Sequence, residues 1–337
     1  MGERPGKKVG AVLIGAALLM TAACGANAAG SSKPKVIGVM ELVASDQPIQ
    51  RIMSAIDREA KAKGFTVKAI DANYNPQAEY TAVQTFVSQQ VAGIINIAGD
   101  NSALSGAFRA AKAANIPVVS INAGNAVDGV TVNRDFPDTQ LGATMANDFY
   151  SAISSIKVSN PVIIEQVLPE ASPCLRRAVG FAQVIAKHPN VQVVKYHINS
   201  TNAAGDSSTY TSQYLATHPN VVGVLSCWDV PAVAAATAAK AAGKTASNFV
   251  VAGFNGTTPA LQEMRKPGSL LAMTAGFADA APAKGAVDDI AEVRSGGHPN
   301  PAPSEQTGVF TKSNMPSGNS IELNSWLPQG WPTVYWS

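Results

Sequence analysis

Short aliphatic runs alternate with amphipathic helical stretches along almost the whole of this chain, and that alternation leaves few folds open. "KVIGVM" (35–40) has the length and content of a strand. In "PIQRIMSAIDREAKAK", which follows, Ile49, Ile52, Met53 and Ile56 recur at i, i+3, i+4 and i+7, the apolar face of a helix that Gly64 ends. "FTVKAID" predicts the next strand, Pro76 opens a helix carrying Val83, Phe86 and Val87, and "GIINIAG" reads as a strand buried on both faces. A helix with Leu104, Ala107, Phe108 and Ala111 then leads to "IPVVSIN". Parallel strands need crossovers of this kind, so the pattern predicts an α/β fold with parallel sheets and right-handed connections.

After "DGVTVNRDFPDTQLGATMANDFYSAI" the cycle starts again. Strand "PVIIEQV", helix "CLRRAVGFAQVIAK", strand "VQVVKYHI", a helix near Tyr210 to Ala216 and strand "VVGVLSC" follow in order. Helix "PAVAAATAAKAAG", strand "FVVAGFN", a short helix with Leu261 and Met264, and strand "SLLAMTAG" complete a second unit of similar size. With 337 residues, 46% of them hydrophobic, the chain has enough apolar surface to build both units. Two such units make a cleft, and open parallel sheets take ligands at the carboxyl ends of their strands. Those ends are "ELVASDQP" (41–48), "NAG" (122–124), "LPEASPCLRR" (168–177), "CWD" (227–229), "FNG" (254–256) and "GFAD" (276–279), where amides, aromatics and lone charges concentrate.

The N-terminus fixes the compartment. Arg4, Lys7 and Lys8 precede an apolar stretch, Val9 to Met20, too short to span a bilayer as a mature helix, and small residues lead to Cys24. This is an export signal (1–23), and Thr21-Ala22-Ala23-Cys24 resembles the lipobox of bacterial lipoproteins, with Thr21 where Leu is preferred. The resemblance implies a lipidated Cys24 at the outer face of the cytoplasmic membrane and a small, polar tether over 24–33; ordinary cleavage near Ala28-Ala29 is the alternative. Outside the signal, Cys174 and Cys227 remain, an even pair in an oxidising compartment: a candidate disulfide or two buried thiols.

Other functions find little support. A net charge of +2, without Lys and Arg interleaved with aromatics, gives no footprint for nucleic acid. GxSxG, P-loop, GxGxxG and HExxH motifs are missing, so no catalytic residue and no cofactor is expected. The four histidines lack metal-ligand spacing, and those of the repeated turn "HPNV", His188 and His218, read as turn residues.

"ANIPVVSIN", "LRRAVGF", "ATHPNVVGVLSCWDVPAVAAATAAKAAGK", "FVVAGFNGTTPALQEMRKPGSLLAMTAG" and "AKGAVDDI" resemble the ribose/galactose class of periplasmic solute-binding proteins of ABC importers, over roughly residues 35–312. The resemblance implies a type I periplasmic binding protein fold, two Rossmann-like doubly wound lobes joined by a three-segment hinge. The lobes would be 34–136 plus 276–304 and 137–275 plus 305–337, with crossings near 133–138, 274–279 and 303–308. It implies a binding protein rather than an enzyme, a monomer that closes on a ligand and presents it to an importer permease. The same cleft would serve a receptor for a signalling membrane partner, or a lipid-anchored hydrolase or isomerase.

Residue by residue, Gln47-Pro48-Ile49-Gln50 stands where the family has Asn-Pro and two rings, and Asn122-Ala123 where it has Asp-Arg. Arg177, with Arg176 as rival, matches the Arg of R-x-x-G-F; Trp228-Asp229 replaces Asn-Asp; Asn255 behind Phe254 replaces Asp; Gly276 beside Phe277 replaces Gln. The ligand-binding set so implied is Asp46, Gln50, Asn122, Arg177, Trp228, Asp229, Phe254, Asn255 and Phe277. The competing roles are a core tryptophan under the cleft floor for Trp228, a lobe-to-lobe ion pair for Arg177, capping of the following helix for Asp229 and turn formation for the two asparagines. Amides where the family has carboxylates favour a small neutral sugar or polyol. The family's strand order also makes the loops bearing Cys174 and Cys227 neighbours. The closing "SNMPSGNSIELNSWLPQGWPTVYWS", with Trp326, Trp331 and Trp336, exceeds the family's usual length, and is expected to pack on the lobes themselves or on a partner.

Overall fold

The computed structural model describes residues 35–302, 305 and 307–315, together with Gly2. Cys24 and the three tail tryptophans lie outside them. Two sheets result. The first contains β1 (Val36–Glu41), β2 (Thr66–Asp71), β3 (Gly93–Ile97), β4 (Val118–Ile121) and β5 (Val132–Arg134), all parallel, in the order β2-β1-β3-β4-β5. The second contains β6 (Val162–Val167), β7 (Gln192–His197), β8 (Val221–Ser226), β9 (Val250–Phe254), β10 (Leu271–Phe277) and β11 (Thr307–Thr311), in the order β11-β10-β9-β8-β6-β7. It is parallel except for β11, which runs antiparallel to β10 at the edge.

Helices α1 (Gln47–Ala62), α2 (Pro76–Ser88), α3 (Asn101–Ala113), α4 (Asp138–Ser154), α5 (Ser172–Ile185), α6 (Ala203–Thr217), α7 (Asp229–Ala241), α8 (Thr258–Arg265) and α9 (Ala280–Ser295) connect the strands. Their starts follow local chemistry. Pro76 fills the first turn of α2 while the Asn75 side chain accepts from the N–H groups of Gln77 and Ala78, and Asp100 caps α3 at Ala103 N. Central strands β3 and β8 are buried at every residue, whereas β2 and β7, at sheet edges, are largely exposed. Burial on both faces shows residue by residue: Ile95 and Ile97 enter one apolar cluster, and Ile94 enters another with Phe86 and Phe108.

The chain crosses between lobes three times. β5 ends the first sheet and α4 packs on α5 of the second lobe; β10 ends in the second sheet and α9 packs on α1 and β4 of the first; the chain then returns to pair β11 with β10. Next to these crossings Arg134 grips Asp289 through two hydrogen bonds of 2.8 and 3.0 Å, with Glu305 3.6 Å away. The sequence reading named no strand at β5 or β11. β5 is three residues, Val-Asn-Arg, with no apolar run, and β11 stands apart from the alternating pattern.

Candidate functional site

The carboxyl ends of both sheets meet at one cavity of about 60 Å³, room for a few water molecules. A space of this size suits a compact ligand. The first lobe contributes Leu42, Val43 and Asp46 after β1, Ile49 and Ile52 from α1, Tyr74 after β2, and Asn122 after β4. From the second come Cys174 and Arg177 on α5, Trp228 at the start of α7 and Asn255 after β9; Phe277 and Asp279 lie at the second crossing. Strand-end geometry helps to aim these groups. Asn122 (φ 53°) and Asn255 (φ 100°) adopt left-handed conformations that asparagine tolerates, so both turn their strands and line the cavity. Tyr74 does the same at φ 58°, at a cost of about 1–2 kcal/mol for a residue of its size. Its N–H donates to Leu42 O at 2.9 Å, which fixes the turn.

Arg177 is the most constrained polar group. Helices α4 and α5 cross at two glycines: a Cβ on Gly142 would sit 2.2 Å from Arg177 O, and one on Gly180 2.0 Å from Thr139 O. This close approach, available only without side chains, brings Asp138 of α4 to Arg177 of α5. Arg177 Nε donates to Asp138 Oδ1 at 2.7 Å, and Nη1 to Cys227 O at 2.8 Å and Asn255 Oδ1 at 3.2 Å. Its guanidinium carbon lies 4.9 Å from the centroids of both the Phe254 and Phe277 rings, a cation–π contact on each. Nη2 makes no hydrogen bond among the described residues. Cys174 and Cys227 are joined, with Cα atoms 5.2 Å apart, tying α5 to the loop that carries Trp228.

Charges around the cavity are mostly paired. Arg51 Nε donates to Asp279 Oδ2 at 2.7 Å. Arg176 binds Asp135, and its Nη2 donates to Asp138 Oδ2 at 2.7 Å and to Asn122 Oδ1 at 2.9 Å, so it bridges the lobes. Asp46 has no such partner among the described residues; one oxygen accepts from Asn255 Nδ2 at 3.3 Å. Burial pushes its carboxyl up to about 6, opposed by the positive charges of Arg51 and Arg177. The lobes also meet where Gln47 accepts from Thr258 N at 2.8 Å and Arg51 Nη2 donates to Asn255 O at 3.0 Å.

Of the residues singled out in the sequence, Asp46, Asn122, Arg177, Trp228, Asn255 and Phe277 line this cavity. Three do not. Gln50 faces outward on α1 and donates to Ala44 O and Ser45 O, because it lies opposite the Ile49–Ile52 face. Phe254 is the last residue of β9; it points to the far side and backs Arg177 while Asn255 takes the cavity side. Asp229 is fully buried and accepts from Thr257 N at 2.7 Å, Thr257 Oγ1 at 3.0 Å and Thr274 Oγ1 at 2.7 Å. A buried carboxylate takes the donors within reach, so Asp229 braces the β9–α8 loop, and burial raises its pKa to about 7. It does not cap its own helix either. Arg177 finds its acid on α4 of its own lobe, and the lobe-to-lobe contact belongs to its rival Arg176.

Tyr74 and Asp279 are cavity residues the sequence reading did not select. "GFAD" placed Asp279 among the candidate loops, but the "DANYNP" turn gave no comparable signal for Tyr74. The two carboxylates of Asp46 and Asp279 also restore acceptors that the change to Asn122 and Asn255 had seemed to remove. His188 and His218 stack on Tyr150 and Tyr214 at 3.4 and 3.9 Å, and among the described residues no cluster of potential metal ligands occurs.

Comparison with known proteins agrees with this architecture. The chain is 28% identical over 233 residues to the ribose import binding protein of Escherichia coli (strain K12), spanning 68% of this chain and 74% of that one. It is 26% identical over 263 residues to the xylitol-binding protein of Mycolicibacterium smegmatis (77% and 73%). The solved structure of an ABC transporter solute binding protein from Agrobacterium vitis with bound allitol superposes with a TM-score of 0.75 at 22% identity, covering 84% of this chain and 97% of that one. These relatives are binding proteins rather than enzymes, and the solved structure shares the type I periplasmic binding protein fold. The family described as "Periplasmic binding protein domain" matches residues 37–298, and the chain belongs to it.

Proposed function

We propose that the protein is the extracytoplasmic substrate-binding lipoprotein of an ABC importer. It is held at the membrane through a lipidated Cys24, captures a monosaccharide or sugar alcohol between its lobes, and presents the closed form to the permease. One observation carries the reading: polar side chains from both lobes (Asp46, Asn122, Arg177, Asn255) converge with the Trp228 and Phe277 rings on one small cavity at the carboxyl ends of both sheets. Flat rings pack on the C–H faces of a sugar while the polar groups hold its hydroxyls. Relatives named for ligands of this class, ribose and xylitol, support the same reading.

Thermal unfolding and tryptophan fluorescence of the mature chain against sugars and polyols test it. A ligand that binds only the folded form adds ~2.7 kcal/mol at a hundredfold over its Kd. The expected result is a raised Tm with at least one monosaccharide or polyol, lost in Trp228→Ala. No shift across the panel rejects the carbohydrate ligand. Mass spectrometry of the membrane fraction tests the anchor, which requires a diacylglyceryl group on Cys24.

A further inference from the structure

The cavity is walled mainly by hydrocarbon. From the first lobe, Leu42, Val43, Ile49, Ile52 and Ile97 face it, and Leu168, Ala171 and the Cys174 bridge add to this from the second. Its polar groups form one connected network: Asp46 to Asn255, Asn255 to Arg177 and Arg51, Arg51 to Asp279. Much of that capacity is already used, since Asn255 Oδ1 and Asn122 Oδ1 accept from Arg177 and Arg176. Gln47, at the position where the resemblance sets the family's Asn, is engaged with Thr258. What remains for a ligand is the Tyr74 hydroxyl, the Trp228 indole N–H, the Asn122 Nδ2 and Arg177 Nη2, none of which has a partner among the described residues, with spare lone pairs on Asp46 and Asp279.

A fully hydroxylated sugar carries a polar group on nearly every carbon. Enclosed here, the hydroxyls on the aliphatic side would lose water and gain no partner. Each such hydroxyl weakens binding by roughly five- to a hundredfold. A methyl group in the same place gains a few-fold from burial instead. We infer that the ligand is amphiphilic: a small sugar or polyol with a deoxygenated or alkyl-substituted end lying against Leu42, Val43, Ile49, Ile52 and Ile97, its hydroxylated end on the Asp46–Asn255–Arg177–Asp279 network. This inference rests on the carbohydrate reading above and narrows it.

Calorimetric titration of the mature chain with matched pairs tests the inference: D-galactose with 6-deoxy-D-galactose, and D-ribose with 5-deoxy-D-ribose. The deoxy member of at least one pair should bind about tenfold or more tightly than its parent. Equal or tighter binding of the parents overturns the inference and leaves the carbohydrate reading in place. Binding by no member of either pair, nor by other sugars, overturns both. Val43→Thr puts a hydroxyl on the aliphatic wall with little change of shape, and should shrink the preference for the deoxy member at least threefold. An unchanged ratio would remove this wall from the explanation.

Discussion

The two walls of the cleft are built on different principles. The second-lobe wall is braced: a disulfide joins α5 to the Trp228 loop, and Arg177 is fixed by Asp138, Cys227 O, Asn255 and two rings. The first-lobe wall is mainly aliphatic; of its polar members, Asn122 is held by Arg176 from the other lobe, Asp46 by a long side-chain contact and Tyr74 by a strained turn. One wall therefore sets where hydroxyls go, and the other selects by shape and apolar contact. The braced wall uses two glycines, one acid and a covalent bond to keep a buried guanidinium in place, whereas the aliphatic wall relies mainly on packing.

The largest effect should come from unbracing the rigid wall. The Cys174–Cys227 bridge closes a loop with a sequence separation of 53. Replacing both cysteines by serine should therefore cost about 3–4 kcal/mol of unfolding free energy. Denaturant titration of oxidised wild type against the double variant measures this. A loss below about 1 kcal/mol would show that the bridge does not constrain the unfolded chain as the entropy argument requires.

Arg177→Met breaks the same wall chemically while keeping its shape. Methionine fills the space between Phe254 and Phe277, and Asp138 keeps its pair with Arg176, so the fold should survive. Ligand affinity should fall about 30- to 100-fold, the worth of a buried hydrogen bond from a charged donor. A drop of less than threefold by calorimetry would mean that Arg177 positions Asn255 without touching ligand.

The legibility of the molecule in its sequence divides along the same line. α1 and its buried face could be read from Ile49, Ile52 and Ile56, and strands β3 and β8 from unbroken apolar runs, because burial writes a period into the chain. Asn122 and Asn255 stood out through the resemblance, at positions where the family has carboxylates, and each also turns its strand, the role set against ligand contact. Phe254 and Asp229 show the limit. Each adjoins a residue that reaches the cavity, and only the backbone direction at that point, or the nearest buried donor, decides which of two neighbours faces the ligand. Tyr74 was hidden because its placement depends on a positive φ that a bulky residue seldom adopts. The Asp138–Arg177 pair was hidden because it arises from two helices crossing at Gly142 and Gly180, a tertiary event without a local pattern.

Asp46 sharpens the comparison through pH. Its folded pKa, about 6, lies above the ordinary aspartate value of 3.8, so between these values the folded state holds a proton that the unfolded chain releases. The associated stability is fully present below about 3.8 and is lost as pH rises through about 6. Other buried acids, among them Asp135 at about 6 and Glu79 at about 7, act in the same direction, so total stability alone does not isolate Asp46. The difference between wild type and Asp46→Asn does. Wild type should lose stability relative to the variant between pH 4 and pH 7.5, and a constant difference would place the Asp46 titration elsewhere.

The smallest effect is expected on the aliphatic wall itself. Tyr74→Phe keeps the ring and its strained turn and removes only the hydroxyl, which bonds to nothing among the described residues and whose pKa is raised by burial and, secondarily, by the Asp46 charge. Losing an unpaired hydroxyl should leave the unfolding free energy of the ligand-free protein within about 0.5 kcal/mol of wild type. Ligand affinity should fall about fivefold, the ~1 kcal/mol of one neutral hydrogen bond. Because the two quantities are expected to separate, they decide what the strained turn is for. A stability loss without an affinity loss would make Tyr74 a packing residue and leave Asp46 and Asn122 as the polar groups of the first-lobe wall. An affinity loss alone would show that backbone strain at Tyr74 delivers a hydroxyl to a mainly hydrocarbon surface.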